Sequence, residues 1–166
     1  KIIKQEKVIK QKELYIEKMN DSLLTSKDNE NLLESLVLLE EYKKALDESS
    51  IVSKANKSGI INYVNDKFCE TSGYSREELI GENHNIIRHP DTPKELFLEL
   101  WEKIKNKKVF KGIIKNKKKN GQSYYVDSTV IPILDKNNNI IEYIAIRNDI
   151  TSLFEKDKLI YEQFTD

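Results

Sequence analysis

Through the first 49 residues apolar side chains return every seven positions, at Ile2, Ile9, Ile16 and Leu23, with Met19 between the last two. A second series runs Leu32, Leu36, Leu39 and Leu46. Both spacings lay an apolar stripe along an α-helix. The stretch contains no Gly or Pro and is rich in Lys, Glu and Leu, which favour helix. Thr25 to Asn31 interrupts the series with residues that cap helices, so the pattern fits two helices or one helix with a stutter. The stripe predicts a coiled coil that joins two copies of the chain; the competing reading is a helix packed only on its own domain.

From Ile51 the period changes to that of short strands. Ile60 to Val64 follows the turn Asn56-Lys57-Ser58-Gly59. Lys67 to Gly81 reads as short helical turns. Pro93 fits the first position of a helix with the apolar face Leu96, Phe97, Leu100, Trp101 and Ile104. Three strands close the pattern, Val109 to Lys115, Ser123 to Leu134 and Ile140 to Ile150. Lys119-Asn120-Gly121 and Asp135 to Asn139 are the hairpin turns between them. This order predicts an α+β domain, a five-stranded antiparallel sheet with its helices on one face. In the last strand Tyr143, Ala145 and Arg147 point one way and Ile144, Ile146 and Ile150 the other. A sheet apolar on both faces needs cover on both, and the second cover falls to the N-terminal helix or to another subunit.

The 166 residues balance 28 Lys and Arg against 28 Asp and Glu, so no global field draws in nucleic acid or anionic lipid. Lys117-Lys118-Lys119 reads as solvated turn residues. Cys69 is the single cysteine, which rules out a disulfide within the chain or a thiolate zinc site and points to a reducing, cytoplasmic setting. No apolar run reaches the roughly 20 residues of a membrane helix. The chain starts at Lys1 and stops within a helical pattern, so it reads as a piece of a longer protein that could itself be membrane-anchored. No nucleophile–base pair, Gly-rich phosphate loop or pair of acids at catalytic spacing is present, which argues against an enzyme.

Several motifs go beyond pattern. Asn65-Asp66-x-Phe68, Ser72-Gly73-Tyr74, Glu78-Leu79-x-Gly81 and Asp149-Ile150-Thr151 follow one another in the order seen in PAS domains, and Gly59 to Thr151 resembles that family throughout. The block His84-Asn85-Ile86-Ile87-Arg88-His89-Pro90-Asp91-x-Pro93, then Phe97, Trp101 and Gly112-Ile113-x-Lys115-Asn116-x-x-x-Asn120-Gly121, resembles the PAS domain of bacterial aerotaxis receptors. It is also similar to PAS modules of sensor kinases and cyclic-di-GMP enzymes. The resemblance implies non-covalently bound FAD as the cofactor and redox or oxygen sensing as the function. It places flavin-binding residues at Asn65, Arg88, His89, Asp91 and Asn116, with Trp101 nearby. Phe110 and Tyr125 stand where those receptors carry Trp, changes expected to alter cavity size. A light-oxygen-voltage photoreceptor is disfavoured, since its reactive Cys would fall near His84.

The residue chemistry agrees with that implication. Arg88 offers a planar fork for a pyrophosphate, Asn116 both halves of an amide for the polar edge of a flavin, and Trp101 a stacking surface. His84 completes the set, and Arg147, on the same face as Tyr143 and Ala145, would let the final strand feel a change of ligand charge. The plainer readings make Asn65 and Asp66 helix caps, Arg88 a brace for Asp91, His89 a loop residue, Trp101 core, Asn116 a strand residue satisfied by backbone, and Cys69 a packed thiol. Haem through His84 or His89 is the alternative cofactor, and a module without cofactor, used for dimerisation, relay or metabolite binding, is the alternative function. The expected domains are a helical segment 1–49, a sensor domain 50–151 and the start of an output helix 152–166, through Leu153, Phe154, Leu159 and Ile160. Gln163-Phe164-Thr165-Asp166 resembles the lead-in to diguanylate cyclase domains; a histidine kinase or chemoreceptor output is also open.

Overall fold

Thr25 and Ser35 are accommodated within the helix of the N-terminal stretch. Their hydroxyls donate to the carbonyls of Asp21 (2.8 Å) and Asn31 (2.9 Å), four residues back. Polar residues that elsewhere end a helix are here absorbed into it. The computed structural model describes residues 2–156, with side chains from residue 12 onward. In it Ile2–Ser49 is one continuous helix, α1, of 48 residues. The chain divides into two units, the first ending at Ala45 and the second beginning at Leu46. Leu159, Ile160 and Gln163 to Asp166, together with the side chains of Ile2 and Ile9, lie outside the described residues.

In the second unit the element order is β1 (Ile51–Ala55), β2 (Ile61–Val64), α2 (Asp66–Ser72), α3 (Arg76–Leu79), a 3₁₀ turn (His84–Ile87), α4 (Lys94–Lys105), β3 (Phe110–Lys117), β4 (Ser123–Leu134) and β5 (Ile140–Asp149). The strands form one antiparallel sheet in the order β2-β1-β5-β4-β3. This is the α+β architecture expected. Tyr143, Ala145 and Arg147 are buried on one face of β5, while Ile144 and Ile146 are half-buried on the other. The core on the first face gathers Ile61, Val64, Phe68, Leu79, Ile104, Phe110 and Val126. Gly121, at φ +89°, closes the β3–β4 hairpin in a conformation that side-chain-bearing residues rarely adopt.

Several boundaries differ from expectation: β3 runs Phe110–Lys117 rather than Val109 to Lys115, and β5 stops at Asp149 rather than Ile150. Ile60 stays outside β2 because it pairs in an isolated bridge with Asn83. Pro93 is the cap of α4 rather than its first helical residue: its ψ of 137° is extended, and its carbonyl accepts from Leu96 N. The preceding Thr92 is tied to β3, its hydroxyl donating to Lys115 O at 2.6 Å.

The entry into the sheet is held by one amide. Asn65 is buried, and its Oδ1 accepts from Val52 N and from Phe68 N, both at 3.0 Å. Its Nδ2 donates to Asp47 O (3.0 Å) and Ser50 O (2.7 Å). One side chain therefore caps α2, fixes the start of β1 and satisfies carbonyls at the end of α1 that have no helical partner. Tyr63 adds a bond from its hydroxyl to Asp47 Oδ2 at 2.8 Å. Truncating Asn65 removes all four bonds; Phe68 N keeps its 3.2 Å bond to Asn65 O, while Val52 N and the carbonyls of Asp47 and Ser50 lose this partner. Asn65→Ala is expected to lower the unfolding free energy by about 2–4 kcal/mol, read by urea denaturation; a loss below about 1 kcal/mol would show that water replaces the clasp.

Candidate functional site

The inner face of β5 places Tyr143, Ala145 and Arg147 side by side because side chains alternate along a strand. Ser128 of β4 lies opposite Arg147, and Asn116 of β3 opposite Tyr124 of β4. The 3₁₀ turn and α4 stand over this floor. Between floor and wall is a cavity of about 90 Å³. Asn116, Val130, Tyr143, Ala145 and Arg147 line it from the sheet; Asn83, His84, Arg88, Phe97, Trp101 and Ile104 line it from the other side.

The floor is charged. Arg147 is the one charged side chain among the buried residues described, and none of those is Asp or Glu. Its Nη1 donates to Ser53 Oγ at 2.9 Å, and its guanidinium lies 5.5 Å over the Phe68 ring. Burial pulls the guanidinium down to about 10, with the Tyr124 hydroxyl opposing, so it stays charged at neutral pH. Ser53 Oγ in turn lies 3.3 Å from His84 Nε2. With one lone pair taken by Arg147, the Ser53 hydroxyl is best satisfied by donating to Nε2, which puts the ring proton on Nδ1. Nδ1 is buried without a hydrogen-bond partner, and so is Ser128 Oγ. Burial, and next the Arg147 charge, push His84 down to about 3. Burial also pushes the Tyr124 hydroxyl up to about 12, opposed by Arg147 and by a hydrogen bond with Asn116.

The wall is built by aromatic contacts. Arg88 stacks on Phe97 with its guanidinium carbon 3.7 Å from the ring centre, and its backbone bridges to Asn116. Trp101 meets Tyr143 edge-on at 5.8 Å. Its ring occupies the space beside Gly59, where a Cβ would stand 2.9 Å from it.

Five of the eight expected site residues therefore converge on the cavity: His84, Arg88, Trp101, Asn116 and Arg147. Three do not. Asn65 spends its amide on the clasp at the start of β1. His89 Nδ1 accepts from Asp91 N at 3.1 Å, which requires an unprotonated nitrogen and leaves its 3.6 Å approach to the Asp91 carboxylate without a shared proton. Asp91 is exposed and bonds Lys115 at 2.9 Å, so it braces β3 and is not the partner of Arg88. The two aromatic departures do not border the cavity either. Phe110 is core, packed where Gly112 leaves room for its ring, and Tyr125 stacks at 4.3 Å on Phe154 in the helical turn after β5. Ser53, which links Arg147 to His84, belongs to no motif; only the alternation of β1 places it on the inner face.

A pH dependence follows from His84. Between about pH 3 and 6.5 the unfolded chain binds a proton at this residue that the folded chain does not. Stability is thus full above pH 6.5 and falls as pH drops through that window, by about 1.4 kcal/mol per unit at most. Denaturation curves at pH 7 and pH 5 should show a smaller acid loss in His84→Gln than in the parent; equal losses would place His84 in contact with water.

A family model described as "PAS fold" matches residues 61–147. The aerotaxis receptor of Escherichia coli (strain K12) is 36% identical over 105 residues, covering 63% of this chain and 21% of the receptor. The nitrogen fixation regulatory protein of Klebsiella pneumoniae is 26% identical over 117 residues, 70% of this chain and 24% of that protein. The chain thus spans less than a quarter of the length of either relative. Among solved structures, the PAS domain of a Colwellia psychrerythraea protein superposes with a TM-score of 0.63 at 25% identity, over 69% of this chain and 98% of that one. A light-oxygen-voltage domain studied with a flavin analogue reaches 0.63 at 16% identity, over 78% and 96%, and shares the fold. With the sheet order, the inner-face cavity and the family match in agreement, the chain belongs to the PAS family of sensory, signal-transducing domains.

Proposed function

We propose that this PAS domain senses through a flavin, FAD, held in the inner-face cavity, and relays the signal through its flanking helices to an output domain. The observation that supports this most is a partly open, largely apolar cavity with a polar floor of Asn116 and Arg147 and a cationic wall residue, Arg88. Asn116 offers a donor and an acceptor to the polar edge of a ring, and Arg88 a cation to a phosphate. A bound flavin supplies a ring system whose charge and protonation change on reduction. A change there acts on the Asn116–Tyr124 pair and on the Arg147–Ser53–His84 chain, because an unpaired buried polar group costs about 1–3 kcal/mol.

The residues fit the chemistry of such a ligand, but the free space of about 90 Å³ is below the roughly 150 Å³ that admits benzene. A three-ring system enters only if Phe97, Trp101 and Arg88 move outward. That tight space is the observation favouring a second reading, a module without cofactor or one that binds a small metabolite. Haem is the poorer fit: His89 is outside the cavity and His84 Nε2 is engaged by Ser53.

The N-terminal helix supports a dimeric relay. Leu32, Leu36, Leu39 and Tyr42 of α1 are each more than half exposed, and so are Ile16 and Leu23 nearer its start. A second copy is the proposed cover. The output is proposed as a covalently linked domain, with a diguanylate cyclase as the first candidate and no enzyme activity in the PAS domain itself. Among the described residues no helix is long and apolar enough to cross a membrane.

Titrating the purified chain with FAD should produce the two visible and near-ultraviolet bands of bound oxidised flavin, and Asn116→Leu should weaken binding at least tenfold. No bands after reconstitution would leave the second reading. Light scattering should give twice the chain mass for the parent and a single chain for Leu36→Glu/Leu39→Glu; a parent that is monomeric at tens of micromolar removes the dimeric relay.

A further inference from the structure

We infer that the Arg147 end of the cavity is a seat for the planar anionic edge of a ligand, a carboxylate or an equivalent acceptor pair. The inference rests on the proposed function only in taking this cavity as the ligand site, and holds whether the anion belongs to a small metabolite or to the edge of a cofactor ring.

Two buried groups carry it, and a third stands beside them. The first is Arg147, a buried cation with no buried carboxylate among the described residues to balance it. A guanidinium taken out of water costs several kcal/mol unless an opposite charge and further hydrogen bonds offset the loss. A neutral hydroxyl, Ser53 Oγ, and the face of Phe68 are its contacts in the structure. The second is His84 Nδ1, buried and unpaired, and a donor once Ser53 gives its own proton to Nε2. The third is Ser128 Oγ, also buried and unpaired, directly across the β4–β5 ladder from Arg147. The Arg147 guanidinium and the His84 ring both border the cavity and together offer donors that match the oxygens of a carboxylate, while Ser128 neighbours Arg147 across the ladder without lining the cavity. Water would satisfy the hydrogen bonds but leaves the positive charge unbalanced. The rest of the lining is apolar, with Ile114, Val130 and Ala145 suited to a hydrocarbon body. Arg88 already rests on the Phe97 ring at the wall, which leaves Arg147 as the buried cation of the floor.

The test uses an isosteric pair, isobutyrate and isobutyramide, added to the flavin-free full chain, with calorimetric binding and melting temperature as readouts. Isobutyrate is expected to bind at least tenfold more tightly than isobutyramide and to raise the melting temperature in proportion to its occupancy. Arg147→Met should erase that preference while leaving the unliganded melting temperature unchanged or higher, since an apolar side chain in place of an unbalanced buried cation is neutral or stabilising. Arg147→Lys, which keeps the charge, should retain the preference with weaker binding. If Arg147→Met does not fold, Arg147→Gln, which can still bond Ser53, carries the same expectation of lost preference. Equal response to the two probes, no response to either, or a preference that survives Arg147→Gln would overturn the seat. FAD binding is measured separately, so a chain that prefers isobutyrate and ignores FAD keeps the seat and rejects the flavin, and a chain that binds FAD without charge preference does the reverse.

Discussion

A guanidinium buried among apolar side chains organises the interior of this domain. Arg147 sits on the central face of β5, the strand that pairs with both β1 and β4. Its charge has to be accommodated by whatever surrounds it, and the nearest groups respond in kind. Ser53 turns its oxygen to it, Phe68 offers its ring face, and His84 is held neutral partly by its presence. The result is a chain of polar contacts that crosses the interior from β5 to β1 to the 3₁₀ turn. Removing water from such a chain strengthens each link and raises the cost of leaving one unmade. Two atoms, His84 Nδ1 and Ser128 Oγ, are left unmade beside the charge. Of these, His84 Nδ1 is the group that the proposed anion seat would pair.

The same short strand, β1, ties this interior to the end of α1. Ser53 faces Arg147, while Val52, one residue earlier, and Ser50 are bonded to the Asn65 amide. Asn65 also bonds Asp47 O and caps α2. A displacement of Ser53 thus acts within three residues on the carbonyls that terminate α1, with no long chain of contacts between. At the other end of the domain β5 leads directly into the turn where Thr151 accepts from Tyr125 N and Phe154 stacks on Tyr125. Both exits from the domain are therefore one strand away from Arg147, on strands that are its immediate neighbours or its own.

The strands, both hairpins and the face assignment of β5 were legible in the sequence because each rests on a local rule: alternation, turn chemistry, and the need to bury an apolar face. Arg147 was placed inward on alternation alone, correctly. The loop residues were not legible in the same way. His89 and Asp91 stand in the same motif as His84 and Arg88, but sequence proximity does not fix direction in an irregular segment. The Asp91 N–H turns His89 toward its own loop, and Lys115 draws Asp91 to the strand edge. Asn65 was readable as a cap, which is what it does, although its two further bonds to the end of α1 depend on a contact that spans 15 to 18 residues. Tyr125 was misjudged for a simpler reason: it neighbours the inward Tyr124 on a strand, so it has to face the other way.

Floor and wall of the cavity differ in how they can yield. The floor belongs to three strands joined by long ladders, β3 to β4 over eight residue pairs and β4 to β5 over nine, and its polar groups are buried. Moving it breaks backbone bonds in register. The wall is made of side chains that are half-buried, Phe97, Leu100 and Trp101 on α4 and Arg88 at the end of a four-residue 3₁₀ turn. They are held by ring stacking and edge contacts worth on the order of 1 kcal/mol each. Any ligand larger than the present free space must therefore be admitted from the α4 side, past Arg88 and Trp101, while its polar edge meets a floor that is already set. Selection of the ligand's charge then belongs to the sheet, and selection of its size to the helix that covers it.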